Sequence, residues 1–264
     1  MSCIIAVTNQ KGGVGKTTTS VNLAASLAAH KRRVLLIDMD PQGNATTGSG
    51  IDKSSLSATI YDVLLGGFTS KNALIKMDEA SYSVLPANGD LTAAEVELLS
   101  ASNREHRLRL ALQEIYHNYD EILIDCPPAL NMLTINALAA AGRVIIPVQC
   151  EYYALEGLSA LLSTIEGIRQ RLNPQLHIAG LLRTMFDPRN NLANEVSNQL
   201  INHFGQQVYS TIIPRNVRLA EAPSHGKPIM TYDQASRGSV AYLFLAKEVL
   251  MRETRKESML VEAR

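Results

Sequence analysis

The sequence predicts an α/β fold, a mostly parallel, doubly wound sheet flanked by helices on both faces. Two observations carry this. Short apolar runs alternate with longer stretches of helical spacing, the pattern of strand–helix–strand units. Most of those runs are continuously apolar rather than alternating, as in strands buried on both faces.

Six runs read as strands: Cys3–Thr8 (CIIAVT), Arg33–Ile37, Ser83–Pro86, Glu121–Ile124, Val144–Val148 and Ile178–Leu182. Between them Thr18–Ala29, Asn103–His117, Leu133–Ala140, Leu155–Leu172 and Ala193–Phe204 carry helical spacing and good helix formers. Leu108, Leu112 and Ile115 give the charged Asn103–His117 stretch one apolar face, so it reads as a solvated outer helix. Ser49–Ser57 reads as a polar surface loop. One domain is expected over residues 1–264, with 251–264 a frayed, charged helical tail.

Composition limits the function. Lys plus Arg and Asp plus Glu are both 25, so any nucleic-acid binding must come from a local patch. Cys3, Cys126 and Cys150 sit in apolar runs without a CxxC pair, and read as small buried side chains in a reducing compartment. The apolar start lacks a basic leader and no run is long enough to span a bilayer, which points to a cytoplasmic protein.

The chemistry begins at Gln10-Lys11-Gly12-Gly13-Val14-Gly15-Lys16-Thr17-Thr18, which follows the first strand and opens the first helix. Glycines let backbone N–H groups turn inward around phosphate oxygens, and the helix adds its positive end. Lys16 supplies charge to the outer phosphates, and Thr17 offers a hydroxyl to Mg²⁺. Where the usual phosphate-loop pattern has its first glycine, this chain has Gln10, together with an additional lysine, Lys11.

The string KGGVGKTT resembles the deviant Walker A box of the ParA/MinD superfamily of P-loop ATPases. The resemblance implies ATP and Mg²⁺ as cofactors. It also implies a homodimer that sandwiches ATP, with Lys11 reaching the partner's nucleotide. Asp38, Asp40 and Asp125 end two apolar runs, where open parallel sheets bind ligands. Asp125 fits a Walker B acid near the metal, and Asp38 is expected to support the metal or the loop. Asp40 lies at the family's first switch and would orient the attacking water; Pro127-Pro128 resembles the second switch.

Longer strings sharpen the resemblance. DMDPQGNAT, DCPPALNMLTINAL, PVQCEYYALEGL and IPRNVRLAEAPSHGKPI are similar to the chromosomal ParA, or Soj, partitioning ATPases, over roughly Ile4–Leu250. By that resemblance Pro214 and Asn216, with Met185, lie against adenine. Arg189 and Arg218 would touch DNA phosphates, with Arg215, Lys227 and Arg237 as additions. The implied partners are non-specific double-stranded DNA and a ParB/Spo0J-type centromere-binding protein, and the implied location is the nucleoid. A Min-type membrane-cycling ATPase is the alternative. It requires an amphipathic C-terminal helix, for which Ser258–Val261 offers only a short apolar patch, so no stable membrane association is expected. An iron-protein-like reductase would need glycine-flanked cluster cysteines, which Cys126 and Cys150 are not. An inactive scaffold is disfavoured by the intact Lys16, Thr17, Asp40 and Asp125.

Overall fold

The computed structural model describes the backbone of residues 2–77 and 81–262 and the side chains of those residues through 254. Eight strands form one sheet: β1 (Cys3–Val7), β2 (Val34–Asp38), β3 (Ile75–Met77), β4 (Tyr82–Leu85), β5 (Glu121–Asp125), β6 (Arg143–Gln149), β7 (His177–Phe186) and β8 (Val208–Pro214). Their order is β3-β4-β2-β5-β1-β6-β7-β8, and only β3 runs antiparallel to its neighbour. Successive strands leave β1 in opposite directions across the sheet. That reversal places a crevice at the carboxyl end of β1.

Helices fill the connections. α1 (Lys16–Ala29) follows β1; α2 (Asn44–Gly48), α3 (Ile60–Leu65) and α4 (Ser70–Ala73) lie between β2 and β3. Next come α5 (Leu91–Glu97), α6 (Arg107–Leu112), α7 (Met132–Ala140), α8 (Ala154–Arg171) and α9 (Asn191–Phe204). After β8 come α10 (Val217–Glu221), α11 (Ile229–Tyr232) and α12 (Arg237–Glu262). Two apolar layers result. One packs Val21, Leu23 and Leu27 of α1 with Tyr242, Leu245 and Val249 of α12 against one face of the sheet. The other packs α3, α5 to α9 and the opposite side chains of the same strands. β2 and β5 are buried at every position, which is why they read as unbroken apolar runs.

The structure differs from the sequence expectation in four places. The Asn103–His117 stretch is helical only over Arg107–Leu112, with a 3-10 turn at Tyr116–Asn118, although Leu108, Leu112 and Ile115 are all buried. Edge strands β3 and β8 are additional: β3 has three residues, and β8 mixes polar residues into its run, so neither gives a strong apolar signal. Of the longest helix, α12, only the end was expected, as the helical tail from residue 251; it begins at Arg237, covers the sheet and continues through Glu262. The side chains of the Ser258–Val261 patch lie outside the described residues. Among the described residues no helix is long and apolar enough to cross a membrane.

Gly180 sits where β7 slips register against β6, and a Cβ there would lie 2.5 Å from the Tyr209 ring and 2.9 Å from the Gln207 carbonyl oxygen. Tyr209 is fully buried and cannot swing outward. Gly180→Ala is expected to destabilise the chain by about 1–3 kcal/mol through overpacking. Urea denaturation measures this, and an unchanged midpoint would show that the ring gives way freely.

Candidate nucleotide site

The phosphate loop runs from the end of β1 into α1. Gly13 (φ 73°) and Gly15 (φ 86°) hold left-handed backbone, which glycine adopts without strain. Gly15 is the N-cap of α1 and brings no side-chain cap, so the first N–H groups of the helix remain available to an anion. Nothing lies within 4 Å of a Cβ built on Gly12 or Gly13, so the loop backbone faces open space.

Its neighbours brace the loop. Asn9 Nδ2 donates to the Pro147 carbonyl at 2.8 Å, and its Oδ1 accepts from Lys11 N at 3.0 Å. Thr184 Oγ1 donates to the Val14 carbonyl at 2.8 Å. Met185 follows, at φ 48°, and its Cε lies 3.9 Å from where a Gly15 Cβ would be. Met185 is thus beside the phosphate loop.

The two lysines meet here. Lys16 Nζ folds back and donates to the Lys11 carbonyl at 3.2 Å. Burial pulls the Lys16 ammonium below its ordinary range, against the opposing charge of Asp125. Lys11 Nζ forms an ion pair with Glu151 Oε2 at 2.6 Å, with both side chains partly exposed. Glu151 lies just past β6, in front of Tyr152 and Tyr153, whose side chains are largely exposed.

The carboxylates come from two adjacent strand ends. Asp38 of β2 and Asp125 of β5 are register partners, and both are fully buried. Ser20 Oγ donates to Asp125 Oδ1 at 2.8 Å, while Asp125 Oδ2 is buried without a hydrogen-bond partner. Burial, and then the facing Asp38, raise the Asp125 carboxyl far above the usual carboxylate range. Thr17 also faces this carboxyl. A buried, under-satisfied carboxylate oxygen beside a threonine hydroxyl and the phosphate loop is an oxygen donor set that fits Mg²⁺.

Asp38, expected to support the metal or the loop, has both carboxylate oxygens turned to the loop. Its Oδ1 accepts from Asp40 N at 3.1 Å, and its Oδ2 accepts from Thr46 N and Thr46 Oγ1, both at 2.8 Å. Burial raises this carboxyl too, opposed by the Thr46 bonds. With both oxygens engaged by the loop, Asp38 acts as its clamp. Asp40, buried, accepts from Gln42 N at 2.9 Å through Oδ1, and its charge acts on Lys16 of the phosphate loop.

The remaining expected residues lie on the same edge. Pro214 ends β8 in register with Phe186 of β7, and Arg215 N donates to the Phe186 carbonyl at 3.2 Å. Asn216 caps α10, its Oδ1 accepting from Leu219 N at 3.2 Å. Arg189, 89% exposed, is bidentate with Asp187, and Arg218 pairs with Glu221 at 2.9 Å and Asp233 at 3.5 Å. Arg237 opens α12. Lys227 follows the turn at Gly226. The sequence reading missed Asn9, Ser20, Thr46, Glu151 and Thr184. Ser20, one helical turn after Lys16, and Asn9, whose Oδ1 accepts from Lys11 N two residues on, act locally; Thr46, Glu151 and Thr184 act across distances in chain that no spacing reveals.

Thr46 Oγ1 also accepts from the Ala87 N–H at 2.9 Å, so one hydroxyl serves the clamp and the end of β4. Thr46→Val should cost about 2–3 kcal/mol, because it strands a buried N–H and removes one donor from a buried carboxylate. A loss below about 0.5 kcal/mol in chemical denaturation would show that the clamp does not carry the loop.

Comparison with known proteins agrees with this geometry. A family model described as an AAA domain matches residues 2–178. The chromosome partitioning protein ParA of Myxococcus xanthus is 54% identical over 253 residues, covering 96% of this chain and 89% of that protein. The sporulation initiation inhibitor protein Soj of Bacillus subtilis is 55% identical over 249 residues, covering 94% and 98%. A crystal structure named as cobyrinic acid a,c-diamide synthase from Mycobacterium smegmatis, with bound ADP and magnesium, superposes with a TM-score of 0.85 at 37% identity, covering 96% of each chain. Mg-ATP is the cofactor this loop is built for, and ATP hydrolysis is its chemistry. With its paired lysines, its Asp125 and its match to both partitioning proteins over nearly the whole chain, this protein belongs to the ParA/Soj family of chromosome-partitioning P-loop ATPases.

Proposed function

We propose that this chain is an ATP-driven partition switch, in which bound ATP drives formation of a sandwich dimer that holds DNA without sequence preference. A ParB-type centromere-binding partner then stimulates a slow intrinsic hydrolysis, which releases the DNA. The observation that carries this reading is the pair of lysines at one phosphate loop, with Lys16 buried against the site and Lys11 held at its mouth by Glu151. Lys16 engages the outer phosphates, while Lys11 exchanges Glu151 for a phosphate oxygen across the dimer. Exposed Tyr152, Tyr153 and Leu130 flank the mouth and would be covered there.

Thr17 and Asp125 would hold the metal, Asp125 through the oxygen that lacks a partner. Magnesium, when bound, neutralises phosphate charge and completes the compensation of the buried carboxylates. Asp40 positions the attacking water, and Asp38 steadies the loop that carries Asp40. Phosphoryl transfer needs positioning and charge neutralisation more than covalent chemistry, so these groups suffice. The backbone N–H groups of Gly12 to Thr18 cradle the phosphates, and Met185, Pro214 and Asn216 border adenine.

Arg189 and Arg218 lie in the segments after β7 and β8, at the sheet edge that carries the phosphate loop. Both are exposed cations held by local acids, and would exchange those acids for DNA phosphates. Arg215, Lys227 and Arg237 extend the same region. Two copies of the patch in a dimer would tie DNA affinity to ATP through avidity. A DNA-bound dimer of this kind would sit on the nucleoid.

Asp40→Ala should bind ATP and dimerise normally, yet lose hydrolysis by roughly 100-fold or more. Normal turnover by this variant would remove Asp40 from the role of placing water. In sedimentation with random-sequence DNA at low salt, Asp40→Ala should bind in ATP and not in ADP, and adding Arg218→Ala should weaken binding about uniformly across sequences. Binding that ignores the nucleotide, or no binding in either, would overturn the partition reading.

A further inference from the structure

The amino ends of the central strands carry a second cluster of ionisable groups, remote from the nucleotide chemistry. Cys3 begins β1, and Glu121 begins β5 directly opposite it in register. Arg143 begins β6, and Glu253 reaches in from α12. The Cys3 Sγ and one carboxylate oxygen from each of Glu121 and Glu253 lie within 4.8 Å of one another. Both glutamates are buried and Cys3 is partly so.

Arginines satisfy only part of this cluster. Arg32 Nη2 donates to Glu121 Oε1 at 3.1 Å, and Arg143 Nη1 donates to Glu253 Oε1 at 2.5 Å. Glu121 is 0% exposed, and its Oε2 has no hydrogen-bond partner. A buried carboxylate oxygen left without a donor is costly. Burial, and then the facing Glu253, hold Glu121 well above the usual carboxylate range. Two buried carboxyl groups and a thiol thus converge with too few donors between them. Such a set is satisfied by a shared proton or by a cation.

We propose that Cys3, Glu121 and Glu253 form a binding site for a thiophilic divalent cation of the zinc class. One sulfur and two carboxylate oxygens are a borderline-soft donor set, which favours zinc over magnesium or calcium. Tetrahedral zinc, with bonds of about 2.0–2.3 Å, separates its donors by roughly 3.5 Å, so small side-chain rotations bring these three groups to bonding distance. Three protein ligands leave a fourth position for water. A small cavity lined by Ile5, Arg143, His177 and Tyr209 meets the cluster at Arg143. Burial holds the Cys3 thiol protonated in the free protein, so the ion takes the thiolate form and a proton leaves on binding. The ion ties α12 to the first residues of β1 and β5, and Arg32 and Arg143 serve as the outer layer that orients the carboxylates.

Cobalt(II) is the probe. The chain, reduced, stripped with chelator and free of nucleotide, should bind one Co²⁺ with a thiolate-to-metal charge-transfer band in the near ultraviolet. Cys3→Ser should abolish the band, and Glu253→Gln should weaken binding about tenfold or more. Cys126→Ser should leave the band intact. Zinc at about 100 times its Kd should raise the melting temperature by roughly 5–10 °C, reversibly with chelator. Circular dichroism checks that each variant is folded. Absence of the band in folded wild-type chain overturns the site and leaves the carboxyl pair sharing a proton. A band that survives Cys3→Ser, or is lost with Cys126→Ser, overturns the assignment as well. A cobalt ion held by Thr17 and Asp125 alone gives no thiolate band, and because no ATP or DNA is present, failure here is separate from failure of the partition reading.

Discussion

The structure turns on the placement of two carboxyl groups, Asp38 and Asp125, side by side at the ends of adjacent parallel strands with no exposed surface. Parallel pairing in register makes their proximity unavoidable once β2 and β5 are neighbours. Two such groups cannot both ionise in an apolar setting without compensation. The chain solves half of this internally by giving Asp38 three donors from its own loop. Asp125 receives a donor from Ser20 and keeps one oxygen short. That asymmetry assigns the two acids different work. Asp38 fixes the backbone from Asp40 to Thr46, whereas Asp125 keeps a buried oxygen without a donor. Lys16 is drawn into the same problem, since it is buried near Asp125 and its charge offsets part of the pair.

The central strands were legible because burial on both faces forces an apolar run, which β1, β2, β5 and β6 keep except for charged or polar residues at their ends. The phosphate loop was legible because its physics is local: glycines at positive φ, a helix start and a lysine follow one another in the chain. Edge strands β3 and β8 were not, since one unpaired edge relaxes the demand for apolar residues. The helical reading of Asn103–His117 overran because its burial periodicity continues through Ile115, past the end of regular helix at Leu112. For the site, residue type identified the charged groups but not their satisfaction. That Asp38 is a clamp depends on Thr46, eight residues away, and on Ala87 beyond it; that Lys11 is held depends on Glu151, across the crevice. Such pairings are set by topology, and only the assembled sheet displays them.

The two ends of the sheet treat buried charge in opposite ways. At the carboxyl ends, acids, lysines and glycine backbone sit on loops whose anchors are few and polar, such as Asn9 to Pro147 and Thr184 to Val14. Hydrogen bonds of this kind each contribute about a kilocalorie per mole and can be traded for bonds to a ligand. The ion pairs Lys11–Glu151, Arg189–Asp187 and Arg218–Glu221 are of the same exchangeable sort, being exposed and worth little alone. At the amino ends, Arg32–Glu121 ties the loop before β2 to β5, and Arg143–Glu253 joins β6 to α12, both at buried acids. Breaking one of those pairs would strand a buried charge, so that end resists movement. The proposed switch would need both properties in one sheet: an edge whose polar contacts are cheap to exchange, and an opposite edge that does not yield when they are exchanged. The long α12 meets the second need, because its apolar side packs on α1 while its far end grips the strand origins. Packed against α12, α1 presents its N-terminus to the phosphate loop from a braced position.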